Sequence, residues 1–548
     1  AATLEKFIEV GGDLLGQSYD SDMAQFYNYI YQTNKYPVAA KSWDGYHQLN
    51  YAQAGIYRKD NWIAVAKGLT DKMFGAEIYA AENRYGRYQA YGAHEILYDG
   101  NLSSSGYLSG GNGWDWNMMP GTTSILLPYE DLKPAITGTA SEYQADTYAG
   151  SLANGKYGIF GLNFIQNPGN RYTGQQLRFR QSVFTFDSLM VCLGSAISAQ
   201  NGSNKVISTL FQNIKADNTT AIYMGQNAQS ADINQQIDLA SQSLALINTQ
   251  GTGYYIPRGN KTVNVFRGIQ ATPIHSTNNT GATAAAYASK AWIDHGTSVA
   301  NSTYNYVVMP ATNSIRLNAL AQKIDNGQLF QILKQSDSLH VVKSLADTVT
   351  AFNSFFANDN IKIGKVEAID SRALFFIKES ENELDIKIVS PDLNTTDNTV
   401  SGWISTTKPI TITIKGVWSA ANNPDNAIIN QLDSSCTITF NLKDGISQQI
   451  KLKHNVLSIP DPDTEEQPKQ KINGVKIYPN PCSSEVKLLT DTALTKDVKI
   501  YDSAGRFIAA INKSDVKPQQ ENTFNFSFLK AGSYFILTDK TTQTIIKQ

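Results

Sequence analysis

Past about residue 40, short runs in which apolar and polar side chains alternate dominate this chain. Trp62-Ile63-Ala64-Val65-Ala66, Tyr157 to Phe164, Ser182 to Ile197 and Tyr304 to Met309 are β-rich runs punctuated by Gly, Asn, Asp and Ser clusters. Ile410, Ile412 and Ile414 alternate with Thr411 and Thr413, the pattern of a strand with one buried face. Before residue 40 the period is helical. Leu4, Phe7 and Ile8 make one short face, and Met23, Phe26, Tyr27, Ile30 and Tyr31 make another behind an Asp22–Gln25 capping box. Two helices this short cannot bury themselves, so residues 1–40 read as the tail of an upstream helical domain. Ser314 to Ile324 predicts a helix, whereas 236–247 fits a helix or a bent strand equally. The expected fold class is mainly β: a large antiparallel β-sandwich, a short N-terminal helical remnant and a small C-terminal immunoglobulin-like β-sandwich.

Pro460, Pro462 and Pro468 among Asp461, Asp463, Glu465 and Glu466 mark an extended linker. The expected division is a helical tail at 1–40, a central sandwich at 41–390, a further β domain at 391–456, the linker at 457–473 and a β-module at 474–548.

A chain of 548 residues is too long for one core, and 41% hydrophobic content excludes wholesale disorder. Lys+Arg 46 against Asp+Glu 48 excludes a strongly basic nucleic-acid binder. Only 17% of residues are charged; Ser, Thr, Asn, Gln and 28 Tyr supply the polarity, a surface that suits carbohydrate and many secreted β-proteins alike. Cys192, Cys436 and Cys482 are too scattered for a disulfide framework or a metal knuckle. No apolar run is long enough to predict a membrane span. The start at Ala1-Ala2-Thr3 reads as a mature product or a fragment.

Near the C-terminus, Tyr478-Pro479-Asn480-Pro481 precedes Val498-Lys499-Ile500-Tyr501-Asp502-Ser503-Ala504-Gly505-Arg506 and then Leu529-Lys530-Ala531-Gly532-Ser533-Tyr534-Phe535-Ile536-Leu537. Asp-x-x-Gly turns between alternating strands make a small sandwich. The three blocks in this order resemble the sorting domain of the Bacteroidetes type IX secretion system. The resemblance implies the type IX machinery as a partner and a secreted or cell-surface location.

The densest chemistry lies in Ala76-Glu77-Ile78-Tyr79-Ala80-Ala81-Glu82-Asn83-Arg84-Tyr85-Gly86-Arg87-Tyr88-Gln89 and in Gly113-Trp114-Asp115-Trp116-Asn117-Met118-Met119-Pro120-Gly121-Thr122-Thr123. Guanidinium forks bind carboxylate or sulfate, and Trp faces stack on sugar rings. With Thr209-Leu210-Phe211-Gln212, Ala291-Trp292-Ile293-Asp294-His295 and Ser390-Pro391-Asp392-Leu393-Asn394, these segments resemble the sandwich half of polysaccharide lyase family 8, the hyaluronate and chondroitin lyases. The resemblance runs from about residue 40 to 456, and its Asn-Arg-Tyr-Gly-Arg-Tyr-Gln and Gly-Trp-Asp-Trp-Asn forms are those of the chondroitin-sulfate ABC lyases.

That resemblance implies β-elimination of an anionic polysaccharide. A proton leaves C5 of a uronic acid and the C4 oxygen departs. It implies Glu77 as a catalytic-network carboxylate that orients an Arg or His, and Asn83 at the substrate cleft. Arg84 and Arg87 are candidates for sulfate or carboxylate contact or for tying down the loop. Trp114 and Trp116 are candidates for sugar stacking or for core beneath the cleft. No cofactor is implied as required, calcium or magnesium remains open, and no metal ligands are assigned.

The family's His, Tyr and Arg trio does not match here. His47 lies near Tyr51 and Arg58, and His295 near Tyr304, but neither set has the family's arrangement, and His94, His275, His340 and His454 read as core or surface residues. The expectation is therefore that an upstream helical toroid, on the same or another chain, carries the trio. The alternative is a non-catalytic carbohydrate-binding protein that kept the sandwich; a structural adhesin has only composition behind it. Arg171, Arg178 and Arg180 form a short basic run that fits a solvated strand face or steers a polyanion.

Overall fold

The computed structural model describes residues 44–548 apart from 80–82, 99–101, 103–104, 108–112, 135–137, 168–175, 201, 216–217, 275–282, 399–401, 455–474 and 540. The expected helical tail at 1–40, the linker at 457–473, Arg171 and His275 lie outside the described residues. The chain divides into two compact units, 1–456 and 457–548.

Alternation builds the first unit. In the strand Trp62–Lys67, Trp62, Ala64 and Ala66 turn inward and the residues between them are half-buried. It pairs with Ala54–Lys59 and Ala93–Tyr98 in a four-stranded sheet that begins at Gly45–Leu49. A nine-stranded and a five-stranded sheet complete the first sandwich, and all their strand pairs are antiparallel. A helix spans Ser314–Asp325, where the Asn313 side chain caps the first turn by accepting from the Arg316 amide at 3.0 Å. Residues 236–247 are neither one helix nor one bent strand: the strands Ile233–Ile237 and Leu244–Ile247 belong to different sheets, with loop at 238–243 between them.

The second sandwich begins at Phe330, not at 391. The expected division at 390/391 fails because strands on both sides of it share one sheet: Glu383–Val389 pairs with Gln448–His454. That seven-stranded sheet packs on a four-stranded one, and Ile410, Ile412 and Ile414 are fully buried between them. Each such side chain stabilises the fold by roughly 1.5–3 kcal/mol. A further cluster joins the sandwiches, with Leu152, Phe184 and Leu193 of the first against Val342, Leu374 and Phe376 of the second.

The second unit holds a three-stranded and a four-stranded antiparallel sheet around Val486, Leu488, Val498, Ile500, Ile536 and Ile545.

Candidate active site

The strand Ala76–Tyr79 turns Ala76 and Ile78 inward and Glu77 and Tyr79 outward. Among the described residues it pairs along one side, with Thr139–Glu142, in a two-stranded ribbon. Glu77 is exposed, and the Tyr79 hydroxyl, 38% exposed as a residue, donates to Glu77 Oε2 at 2.5 Å. A strand places residues two apart on the same face, which is why the phenol reaches the carboxylate.

Asn83 folds back onto this ribbon. Its Nδ2 donates to the Glu77 carbonyl at 2.5 Å and to Gln89 Oε1 at 3.2 Å. Its backbone is left-handed, with φ 46°, a conformation that Asn tolerates better than most residues. Gly86 packs against it: a Cβ there would stand 2.1 Å from Asn83 Oδ1, so the carboxamide would have to shift. Next to it, Tyr85 stacks edge-on against Tyr129 at 5.1 Å and the Tyr88 hydroxyl donates to the Ile125 carbonyl at 2.9 Å. These anchors leave Asn83 and Arg84 half-buried.

Arg87 does not reach the surface. It is 1% exposed, with its guanidinium 5.4 Å from the Tyr88 ring centre, and it hydrogen-bonds the Tyr91 phenol. Tyr91 in turn donates to the buried Glu142 carboxylate at 2.7 Å. Burial and the Glu142 charge hold the Tyr91 phenol well above its usual range, so it stays protonated as a donor. Arg87 therefore ties the loop to the strand that pairs with Glu77, and contact with sulfate is corrected to this internal role.

The tryptophan pair is corrected likewise. Trp114 is 0% and Trp116 2% exposed, so neither ring offers a face to a sugar. Trp114 packs 5.9 Å from Tyr107, and its Nε1 donates to Met119 Sδ at 3.4 Å. Asp115 between them holds the loop. Its Oδ2 pairs with Lys290 Nζ at 2.7 Å, and its Oδ1 accepts from the Tyr129 hydroxyl and the Asn117 amide, both at 3.1 Å. Gln212 Nε2 donates to the Asp115 and Met118 carbonyls at 3.0 and 2.9 Å. Sequence reasoning missed this Asp115–Lys290 pair. Lys290 stands beside the Trp292 block and Gln212 ends the Leu210-Phe211 block, and that adjacency was the available signal.

His295 and Tyr304 lie with ring centres 6.2 Å apart but both are buried. Serines 208 and 302 hold the two His295 ring nitrogens at 2.9 Å, and burial pushes the imidazole down to about 4. His94 and His340 are buried and pushed down to about 4 and about 3. In the basic run, Arg178 is exposed and Arg180 lies 4.9 Å over Phe356. Among the described residues no three His, Cys, Asp or Glu side chains converge on a metal position.

Residues 46–321 match the description polysaccharide lyase family 8, super-sandwich domain. This chain belongs to polysaccharide lyase family 8. Among family relatives, the chondroitin sulfate ABC endolyase of Proteus vulgaris is 28% identical over 410 residues, covering 74% of this chain and 39% of that protein. The chondroitin sulfate ABC exolyase of Bacteroides thetaiotaomicron is 27% identical over 447 residues, covering 74% and 41%. The chain thus spans about two fifths of the length of the curated lyases it matches. The lyase fold is shared with the Streptomyces coelicolor A3 chondroitin AC lyase solved with chondroitin sulphate, at TM-score 0.60 and 18% identity over 76% of this chain and 50% of that one. It is shared too with Paenibacillus xanthan lyase, at TM-score 0.61 and 18% identity over 96% and 52%. Residues 476–548 match the secretion system C-terminal sorting domain, which marks this family 8 chain for type IX export to the medium or the cell surface.

Proposed function

We propose that this chain is the sandwich portion of a lyase that cleaves chondroitin or dermatan sulfate, with hyaluronan as a further substrate, by β-elimination at uronic acid. The observation that carries the reading is the exposed Glu77 carboxylate, held by the Tyr79 hydroxyl and flanked by Asn83, in the segment with the family's motif. The C5 proton of a uronate leaves only when the neighbouring carboxylate is neutralised by hydrogen bonds or positive charge, which stabilises the enolate-like intermediate. A base must take that proton and an acid must protonate the departing oxygen. Asn83 supplies a half-buried polar carboxamide beside Glu77. Glu77 orients and charge-balances a cationic partner rather than acting as the base. In this reading the base and acid come from a helical toroid outside the residues described here, which the burial of His94, His295, His340 and Tyr304 supports.

The test follows ultraviolet absorbance of the C4=C5 unsaturated product. Chondroitin sulfate is mixed with the chain alone and with the chain joined to a helical lyase portion. Product only in the joined form supports the reading. Product from the chain alone overturns the outside source of base and acid. No product in either case favours the non-catalytic carbohydrate-binding alternative.

A further inference from the structure

Burial of Trp114 and Trp116 leaves the Glu77 site without the stacking surface expected of them. The ribbon that carries Glu77 presents a different one. Ser141 lies opposite Glu77 in the register. Beyond it the chain continues in alternation, with Glu142 and Gln144 buried and Tyr143 half-buried between them. Side chains two apart share a face, so Tyr143 stands on the Glu77 side of the ribbon, about 7 Å along the chain from Ser141. That offset is comparable to one monosaccharide step in a polysaccharide.

Phe74 meets Tyr143 there. It is 45% exposed, and the two ring centres lie 6.2 Å apart with the planes at 78°. Gly75 makes this placement possible. Its backbone lies so close to the interior that a Cβ would stand 2.5 Å from that of Ala90, and the chain turns Phe74 to the surface just before it. Neither ring belongs to an apolar cluster of the described residues. A single exposed aromatic ring is ordinary on a protein surface. Two rings set as a near-perpendicular corner beside an exposed carboxylate do more. One stacks on the C–H face of a pyranose while the other meets its edge. Two rings are far too small a patch for a protein partner, which needs on the order of 1,000 Å² of interface, but they match one sugar ring.

We propose that Phe74 and Tyr143 form the sugar-stacking contact of this site and hold the pyranose unit adjacent to the uronate that faces Glu77. The choice of an anionic polysaccharide and the part played by Glu77 rest on the function proposed above. The stacking contact itself does not need the elimination chemistry.

Saturation-transfer NMR on the full chain tests it, with a chondroitin sulfate tetrasaccharide as the probe and irradiation of the aromatic protons. Sugar ring C–H protons take up saturation from the native chain. The signal falls about fivefold in Phe74→Ala and in Tyr143→Ala, and stays within about twofold in Tyr143→Phe, which keeps the ring. Should Tyr143→Ala fail to fold, Phe74→Ala, at an exposed position, carries the comparison. In a lyase carrying this sandwich, Phe74→Ala raises KM about fivefold with kcat little changed, the mark of a contact made equally before and during the reaction. A native-level NMR signal in Phe74→Ala overturns the inference, as does the absence of signal from the native chain. A Phe74→Ala effect on kcat alone overturns the placement beside the reacting unit. A signal that depends on both rings, with no unsaturated product formed, supports the contact and counts against the lyase reading alone.

Discussion

The Tyr79 hydroxyl and the Glu77 carboxylate meet at 2.5 Å on the outward face of one strand. The phenol fixes which way the carboxylate points. In a lyase carrying this sandwich, Tyr79→Phe lowers kcat about tenfold with little change in KM, and Glu77→Gln lowers it about a hundredfold. Steady-state rates of unsaturated-product formation check both. A Tyr79→Phe change confined to KM would make the phenol a substrate contact instead.

Gly86 faces the Asn83 side chain with no room for a methyl group. Gly86→Ala pushes Asn83 off the Glu77 carbonyl and destabilises the unit by about 1–3 kcal/mol. Thermal denaturation reads the loss, and Gly86→Ala paired with Asn83→Gly recovers part of it by removing the clashing side chain.

Lys290 and Asp115 pair at 2.7 Å with side chains 11% and 12% exposed. Lys290→Met strands a nearly buried carboxylate and costs about 3 kcal/mol, whereas removing both charges costs less. Urea unfolding of the two single variants and the double variant measures the difference. A double-variant loss equal to the sum of the two single losses would deny the pairing.

Burial holds His94, His295 and His340 far below their ordinary value of 6.5, at about 4, 4 and 3. A depressed imidazole is neutral in the fold and protonates on unfolding. Its stability contribution is full above pH 6.5 and shrinks as pH falls, by up to about 1.4 kcal/mol per pH unit for each ring. Glu95 works the other way: burial raises it to about 7, so it favours the fold more as pH falls from 7 toward 4.5. Three rings outweigh one carboxyl. The urea midpoint therefore drops between pH 6.5 and 4.5, and His340→Gln flattens the drop by about half, since one of a net two group-equivalents is removed.

Alternation made the fold legible because strand burial is a local matter. Trp62–Lys67 and Ile410–Ile414 followed from which neighbours were apolar. Trp114, Trp116 and Arg87 were ambiguous for the opposite reason. Their burial is decided by Tyr107, Lys290, Gln212 and Glu142, which come from distant parts of the chain. The misplaced boundary at 390 has the same origin. Glu383–Val389 finds its partner in Gln448–His454, and nothing beside residue 390 announces that pairing.

The apolar cluster that runs from Leu152 and Phe184 to Val342 and Phe376 sets how this protein comes apart. A chain cut at 321, where the family match stops, would expose Leu152, Phe184 and Leu193 to water and be prone to aggregate. The natural unit of excision ends near 454, and the two sandwiches melt as one transition.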